Sequence, residues 1–577
     1  MAEKEDFKAS SSPPPEYGND APLTSGNMFQ RFIQGFERHP NAHVTAKGTV
    51  GADGKVFDAE EGNAAVAESP LARRLKGRHI QMIAIGGSIG TGLFVGSGGA
   101  LATGGPASLL IAFTLIGAML YCVVHALGEL AVLYPVAGSF AAYSTRFIDP
   151  AWGFAMGWNY AMQWLIVLPL EIVAAAITVE YWESPVSPAV WCTLFWLLIV
   201  SINLFGVKGY GEAEFVFSLI KVIAVIGFII LGIVLNCGGG PQGEYIGGRY
   251  WKNPGAFVSG FKGLCSVFVT AAFSFAGTEL VGLAAAETAN PRKSLPTAIK
   301  QVFWRITLFY IVSLTLVGLL VPSNEKRLLN KSSSADAKAS PFVIAIQNAN
   351  IKALPSIFNV VIMIAVLSVG NSAVYGSSRT LAALAEQGQA PKILAYIDKK
   401  GRPIVGIGLA SALGLLGYLA ASPKSGEAFT WMLALSGLSS IFTWGSICLA
   451  HIRFRRAWKL QGHSLDELAF TSQAGLIGSW FGFALNCIVL VAQFWVAVWP
   501  IGGKPTAKGF FEIYLTVPIL LVTYFPFKWI YKTKIIRAKD MDLVTGRREL
   551  DIQHLIDEER AERQSWPAWK KVYKIFC

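Results

Sequence analysis

Two short stretches of this sequence carry residue types that an uninterrupted helix would not choose. Gly86-Gly87-Ser88-Ile89-Gly90-Thr91-Gly92 places four glycines within seven residues, and Phe273-Ser274-Phe275-Ala276-Gly277-Thr278-Glu279 sets glycine, hydroxyls and a carboxylate into an apolar run. Glycine lets a backbone leave the helical region. Amides freed where the first helix resumes, across Gly87, Ser88, Ile89, Gly90, Thr91 and Gly92, form a seat for an anion. Carbonyls freed around Ala276, Gly277 and Thr278 suit an ammonium group, and Phe273 and Phe275 could close over the ligand, Phe275 being the better gate. A free amino acid carries both charges. The competing reading is that the glycines only let helices pack closely and the rings only fill space.

Four ionisable residues lie inside otherwise apolar stretches: Glu129, Glu171, Lys221 and Glu279. Charges within a membrane span are costly and mark functional positions. Low dielectric disfavours a lone charge, so such groups can take up and give up a proton during a working cycle. The pattern assigns Glu129 and Lys221 to proton coupling as a pair, Glu279 to gating or coupling, and Glu171 to structure. Ser368 and Asn371, at i and i+3, share one helical face, where they line a pocket or hold neighbouring helices.

These residues need a lipid-embedded scaffold. The 577 residues are 53% hydrophobic and 15% charged, against roughly one-quarter charged in a soluble domain. Apolar runs long enough for a helical span, about 20 residues, recur at roughly 80–100, 106–133, 153–179, 189–207, 214–236, 262–285, 302–322, 355–384, 403–421, 428–451, 476–500 and 511–531. In hydrocarbon, every backbone polar group must be paired within its own segment, so these runs are expected to be helices. The fold class is an all-α membrane protein of about 12 transmembrane helices. Gly90 and Gly277 stand 187 residues apart, and the spans around them fall into two groups of five. An odd number of crossings makes the second group enter from the opposite side, which gives a 5+5 inverted repeat with helices 1 and 6 broken.

The expected domains are a disordered cytosolic tail (1–70), a first repeat (71–236), a second repeat (262–451), two added helices (476–531) and a cytosolic C-terminal tail (532–577). The net charge is +12, yet the basic residues sit at span ends, as Arg73, Arg74, Lys76 and Arg78 do before the first span. Arg292, Lys293, Lys300 and Arg305 are expected in one inward loop. That is the positive-inside pattern, placing both termini in the cytosol rather than pointing to nucleic acid. Asn330-Lys331-Ser332 is a possible glycosylation acceptor.

Catalysis is not expected. The chain has no G-x-x-x-x-G-K-[ST] loop and no H-E-x-x-H, so neither ATP use nor that metal chemistry is indicated. Gly86 to Gly90 matches G-x-S-x-G, but a nucleophile elbow needs a preceding strand. Seven cysteines show no metal spacing.

The long run Leu75-Lys76-Gly77-Arg78-His79-Ile80-Gln81-Met82, with Phe205-Gly206-Val207-Lys208-Gly209-Tyr210-Gly211-Glu212-Ala213-Glu214-Phe215 and Gly282-Leu283-Ala284-Ala285-Ala286-Glu287, resembles the fungal amino-acid permeases of the amino acid-polyamine-organocation superfamily. So do Leu435-Ser436-Gly437-Leu438-Ser439-Ser440 and Gly546-Arg547-Arg548-Glu549-Leu550-Asp551. The resemblance implies a LeuT-like fold, plasma-membrane residence and proton symport of many L-amino acids, with the proton as coupling ion and no other cofactor. It implies that both breaks hold the substrate backbone, with Ser368 and Val369 near its path. It further implies ubiquitin-ligase machinery acting on Lys4 and Lys8, together with the tail stretch Leu550 to Arg563, and a lipidated Cys577. A receptor with little transport and a narrow-specificity permease are the alternatives. Ser88 and Thr278 stand where relatives carry Ala or Ser, and Ile575-Phe576-Cys577 where they often end Phe-Trp-Cys.

Overall fold

The computed structural model describes residues 30, 33–40, 50–51, 54–55, 59–87, 89–241, 243–329, 340–422, 425–547 and 566–567. Lys4, Lys8, Ser88, Asn330, Cys577 and the stretch 550–563 lie outside them. Among the described residues the regular structure is helical apart from a small hairpin, β1 (Val50–Gly51) and β2 (Gly54–Lys55). The α-helices of five or more residues are α1 (Ala59–Ala67), α2 (Gly77–Gly86), α3 (Ser97–Leu133), α4 (Phe140–Phe147), α5 (Pro150–Val179), α6 (Pro188–Leu204), α7 (Gly206–Asn236), α8 (Gly260–Phe275), α9 (Leu280–Ala284), α10 (Pro291–Trp304), α11 (Ser313–Leu320), α12 (Pro341–Asn348), α13 (Leu354–Glu386), α14 (Ile404–Gly414), α15 (Ser425–Leu460), α16 (Gly475–Val498), α17 (Ala507–Tyr514) and α18 (Thr516–Tyr531).

Several starts are written in the sequence as a capping residue before proline. Asp149-Pro150, Ser187-Pro188 and Asn290-Pro291 each place a side-chain oxygen on an early amide, and proline occupies the position whose N–H has no helical partner. The Asn290 cap corrects one expected boundary. α10 begins at Pro291, continues through the wider turn Arg305–Val312 into α11, and so carries Arg305 into the bundle instead of leaving it in a loop.

Among the described residues, nine helices are long and apolar enough to cross a membrane. A tenth arises if α17 and α18, bent by 67°, count as one span. Two expected spans take other forms. The fourth is the 17-residue α6. The first is interrupted: α2 ends at Gly86, a helix resumes from Thr91 through the wide turn Gly92–Gly96, and α3 follows. Inside α3 the chain turns again at Gly105, φ 83°, followed by Pro106.

The two interrupted helices run antiparallel, and their ends show it. Before α2, Leu75 donates to the Glu287 carbonyl at 3.0 Å and accepts from Ala289 at 3.1 Å, beyond α9. At the other end, Val258 donates to the Gly104 carbonyl and Ala107 to that of Ala256, both at 2.9 Å. The approach to each broken helix therefore lies beside the exit of the other. Around this pair the most extensive helix contact is α13 along α5.

The expected disordered tail to residue 70 needs correcting at its end. α1 buries Ala65 and Val66, and the Val66 carbonyl accepts from Ala137 at 3.0 Å. Residues 33–40 also dock, with the Phe36 carbonyl accepting from Tyr396 at 2.7 Å and Lys399 donating to that of Glu37 at 2.8 Å. Small and apolar residues at 59–67 are enough to bury one helical face once the bundle offers a surface.

Candidate substrate site between two broken helices

The two breaks lie side by side because glycine allows it. A methyl group at Gly92 would sit 2.4 Å from the Ser274 Cα, so the backbones approach to within a distance no side chain tolerates. At the first break, Gly87 donates to the Ile83 carbonyl and Ile89 to that of Gly86, each at 3.0 Å. The helix then restarts at Thr91; Leu93 and Phe94 donate to the Gly90 carbonyl at 3.1 Å, and the Gly90, Thr91 and Gly92 amides have no acceptor among the described residues. Gly90 faces Val369, whose Cγ2 would be 2.4 Å from an added methyl.

At the second break, Ala276 is extended, φ −57° and ψ 142°, and Gly277 has φ 96°. Most carbonyls there are already taken. The Phe275 carbonyl accepts the Thr278 hydroxyl at 2.7 Å, the Ser274 carbonyl accepts Tyr310 at 2.7 Å, and the Gly277 carbonyl accepts Leu280 at 3.2 Å. The Ala276 carbonyl has no donor among the described residues. The expected group of free carbonyls thus narrows to one. The Phe275 gate also needs correcting: its ring is fully buried, 4.1 Å from Tyr310 and 5.8 Å from Phe113. A ring so enclosed is a wall. Phe273 keeps slight exposure beside α15, where Gly437 approaches its Cβ.

Five buried ionisable side chains brace these breaks, and four of them match the local helix dipole. The C-terminal end of α2 carries partial negative charge, and two cations meet it. Lys221 donates to the Gly86 carbonyl at 2.6 Å, and Arg305 to the Ala84 carbonyl at 2.6 Å. Arg305 reaches across to the Thr278 hydroxyl, also at 2.6 Å, tying one break to the other. Carboxylates occupy the amide-rich ends. Glu171 accepts the Thr91 hydroxyl where the first helix resumes. Glu279 accepts the Gly277 amide at 3.1 Å, with Tyr160 and Trp444 each donating at 3.2 Å.

The fifth group is Glu214. It lies 3.4 Å from Lys221 and takes the Ser368 hydroxyl at 2.7 and 2.8 Å, while Lys221 donates to that same hydroxyl at 2.8 Å. This joins α7, α13 and the end of α2. The approach depends on Gly86, where an added methyl would lie 2.0 Å from the Ser218 Oγ. Asn371, on the same face as Ser368, accepts from Asn203 at 2.8 Å and so takes the helix-holding role of the two expected, binding α13 to α6.

The expected pairing of Glu129 with Lys221 does not form. Glu129 is held 3.0 Å from His451 and 2.5 Å from Arg455, and it accepts the Ser472 amide at 2.7 Å. Among the described residues it shares no partner with Lys221. Bridging Arg455 and His451 in this way, the carboxylate organises α3 against α15. Sequence reading passed over Glu214 and Arg305, though both left a signal. Glu214 and Lys221 are seven residues apart, two turns along one face. Arg305 follows Pro291 by 14 residues without a breaker strong enough to end the helix, which places it about 20 Å along it.

A multi-pass helical bundle with two antiparallel broken helices and buried charges at their ends defines a membrane transporter. The chain belongs to the amino acid permease family, whose model matches residues 79–539. It is similar to the general amino-acid permease GAP2 of Candida albicans, 62% identical over 565 residues, covering 97% of this chain and 95% of the relative. It is also 58% identical over 565 residues to the general amino-acid permease GAP1 of Saccharomyces cerevisiae, covering 96% and 92%. The histidine permease of S. cerevisiae is 53% identical over 503 residues, covering 86% and 83%.

Proposed function

We propose that this protein imports L-amino acids of many kinds across the plasma membrane by proton symport, with both termini in the cytosol. The observation that carries the reading is the opposed chemistry of the two breaks. Amides at Gly90, Thr91 and Gly92 suit a carboxylate, and the Ala276 carbonyl suits the ammonium group. Contacts to the backbone of the solute leave its side chain unspecified, which fits a wide range. The high identity to two relatives named general permeases favours that range over a single substrate.

A charge count at the site supports the proton coupling. Three carboxylates (Glu171, Glu214, Glu279) face two cations (Lys221, Arg305). With all ionised, one negative charge is left over, and a single proton neutralises it. Glu214 is paired with Lys221. Glu171 has a hydroxyl partner and, among the described residues, no cation within ion-pair distance, so it is the better seat for the proton. Lys221 and Glu279 then respond to the substrate through Gly86 and Gly277. Glu129 stays outside this cluster. Lys4 and Lys8 are the proposed ubiquitin acceptors, and Cys577 the proposed lipid acceptor.

The test is uptake of several labelled amino acids by a permease-deficient cell expressing the full chain, with a protonophore and a competition panel of the natural amino acids. Accumulation of many amino acids that collapses with the protonophore is the expected result. Uptake indifferent to the proton gradient would overturn the coupling. Competition by one side-chain class alone would make this a narrow permease, and binding without accumulation a receptor.

A further inference from the structure

Away from both breaks, the wall of the bundle holds an apolar recess of about 350 Å³ where α5, α15, α16 and α18 meet. Its size falls in the range of small-ligand sites, about 300–1,000 Å³. Trp152, Phe442, Leu449, Phe483, Leu490 and Tyr524 form its sides, and Gly445 leaves room at its floor. The neighbouring helix surfaces expose Ile488, Val491, Val522 and Phe525, so the recess opens toward hydrocarbon and its occupant comes from the membrane.

One end of the recess is charged. Asp149 and Ile535 line that end. Asp149 is neutralised by an ion pair with Lys528 and accepts from Thr533 at 2.8 Å. Immediately beyond the helix, Lys532, Lys534, Arg537 and Lys539 are all exposed, and the stretch 532–539 contains no acidic residue. Basic clusters beside the end of a membrane helix attract anionic headgroups.

We propose that this recess is a binding site for one anionic phospholipid, with an acyl chain lying along Trp152, Phe442 and Phe483 and its phosphate met by Lys532, Lys534 and Arg537. A sterol would fill the apolar part and leave the cations unanswered. The proposal uses the membrane reading of the fold and is independent of which solute is carried.

The full chain is reconstituted in nanodiscs of phosphatidylcholine containing a minor fraction of phosphatidylserine, and separately with a sterol, and retained lipid is counted by native mass spectrometry. Phosphatidylserine should be retained above its share of the bilayer. Retention should fall about fivefold for each of Lys532→Gln and Lys534→Gln, the change that corresponds to about 1 kcal/mol per basic residue near an anionic surface. Gly445→Leu, which projects into the recess, should reduce retention, whereas Gly445→Ala should not, since its methyl would meet Asn486 at an ordinary 3.5 Å. Equal retention of neutral and anionic lipid, preferential sterol retention, or enrichment that survives the glutamine and leucine variants would each overturn the proposal. Because the readout is bound lipid, failed transport with intact enrichment would count against the transport reading alone.

Discussion

Gly92→Ala and Gly99→Ala place the same methyl group on the same resumed helix and should have opposite consequences. At Gly92 the methyl would lie 2.4 Å from the Ser274 Cα and 2.8 Å from its amide nitrogen, about 1 Å inside ordinary contact. The obstacle is backbone, which cannot rotate aside, so the two broken helices must separate. Overpacking of this kind costs about 1–3 kcal/mol. The same displacement shifts the Gly90–Gly92 amides relative to the Ala276 carbonyl, and a misplacement of about 1 Å in a reacting site can cost about a hundredfold. At Gly99 nothing lies within 4 Å of the added methyl. There the helix simply gains the propensity of alanine over glycine, worth up to about 1 kcal/mol. The assay is initial-rate uptake of a labelled amino acid, normalised to surface protein, with thermal unfolding of the purified variants alongside. Gly92→Ala should lose about 10- to 100-fold in uptake, and Gly99→Ala should match the parent. Full uptake by Gly92→Ala, or equal damage from both, would refute the argument that close approach of the breaks builds the site.

Other positions test the braces. Arg305→Met removes two charge-assisted hydrogen bonds, each worth about 1.5–3 kcal/mol. It should abolish uptake and lower the unfolding temperature, with Arg305→Lys intermediate because a lysine retains the charge but not the fork. Glu171→Gln should preserve amino-acid exchange while losing at least about tenfold of proton-driven accumulation, the loss of a 1.4 kcal/mol driving force. Glu129→Gln should instead lower stability by about 3–5 kcal/mol, since it strips the anion from Arg455 and His451. Asp542 anchors the segment after α18 by pairing with Arg146 at 3.0 Å. Burial pushes its carboxyl up, but Arg146 and the Val544 and Thr545 amides outweigh that and hold it below the usual aspartate range. Its contribution is therefore complete above the ordinary aspartate pKa and is lost as the pH falls through the lower folded value. Asp542→Asn should speed amide exchange across 532–547 at neutral pH, and acidification to about pH 4 should not reproduce that effect in the parent.

The sequence by itself determined the solvent of this protein and the positions of its two breaks. Apolar runs of span length leave helices as the solution for a backbone in hydrocarbon. Glycines clustered at 86–92 and again at 277 mark where such helices must fail, and capping residues before Pro150, Pro188 and Pro291 mark where others start. These are local properties, set by single residues and their immediate neighbours. The pairing of charges was a different matter. Glu129 and Lys221 are both intramembrane ions, and nothing along the chain says that one meets Arg455 and His451 while the other meets Glu214, Ser368 and the Gly86 carbonyl. Those partners are 135 to more than 300 residues away or two helical turns along, so only helix packing selects among them. The same holds for Phe275, whose enclosure by Tyr310 and Phe113 was invisible in its own stretch. It holds too for the Ala276 carbonyl, which has no donor among the described residues while its neighbours have theirs. Tertiary structure decided which buried charge is balanced and which backbone group stays open, because both depend on distances that sequence spacing does not contain.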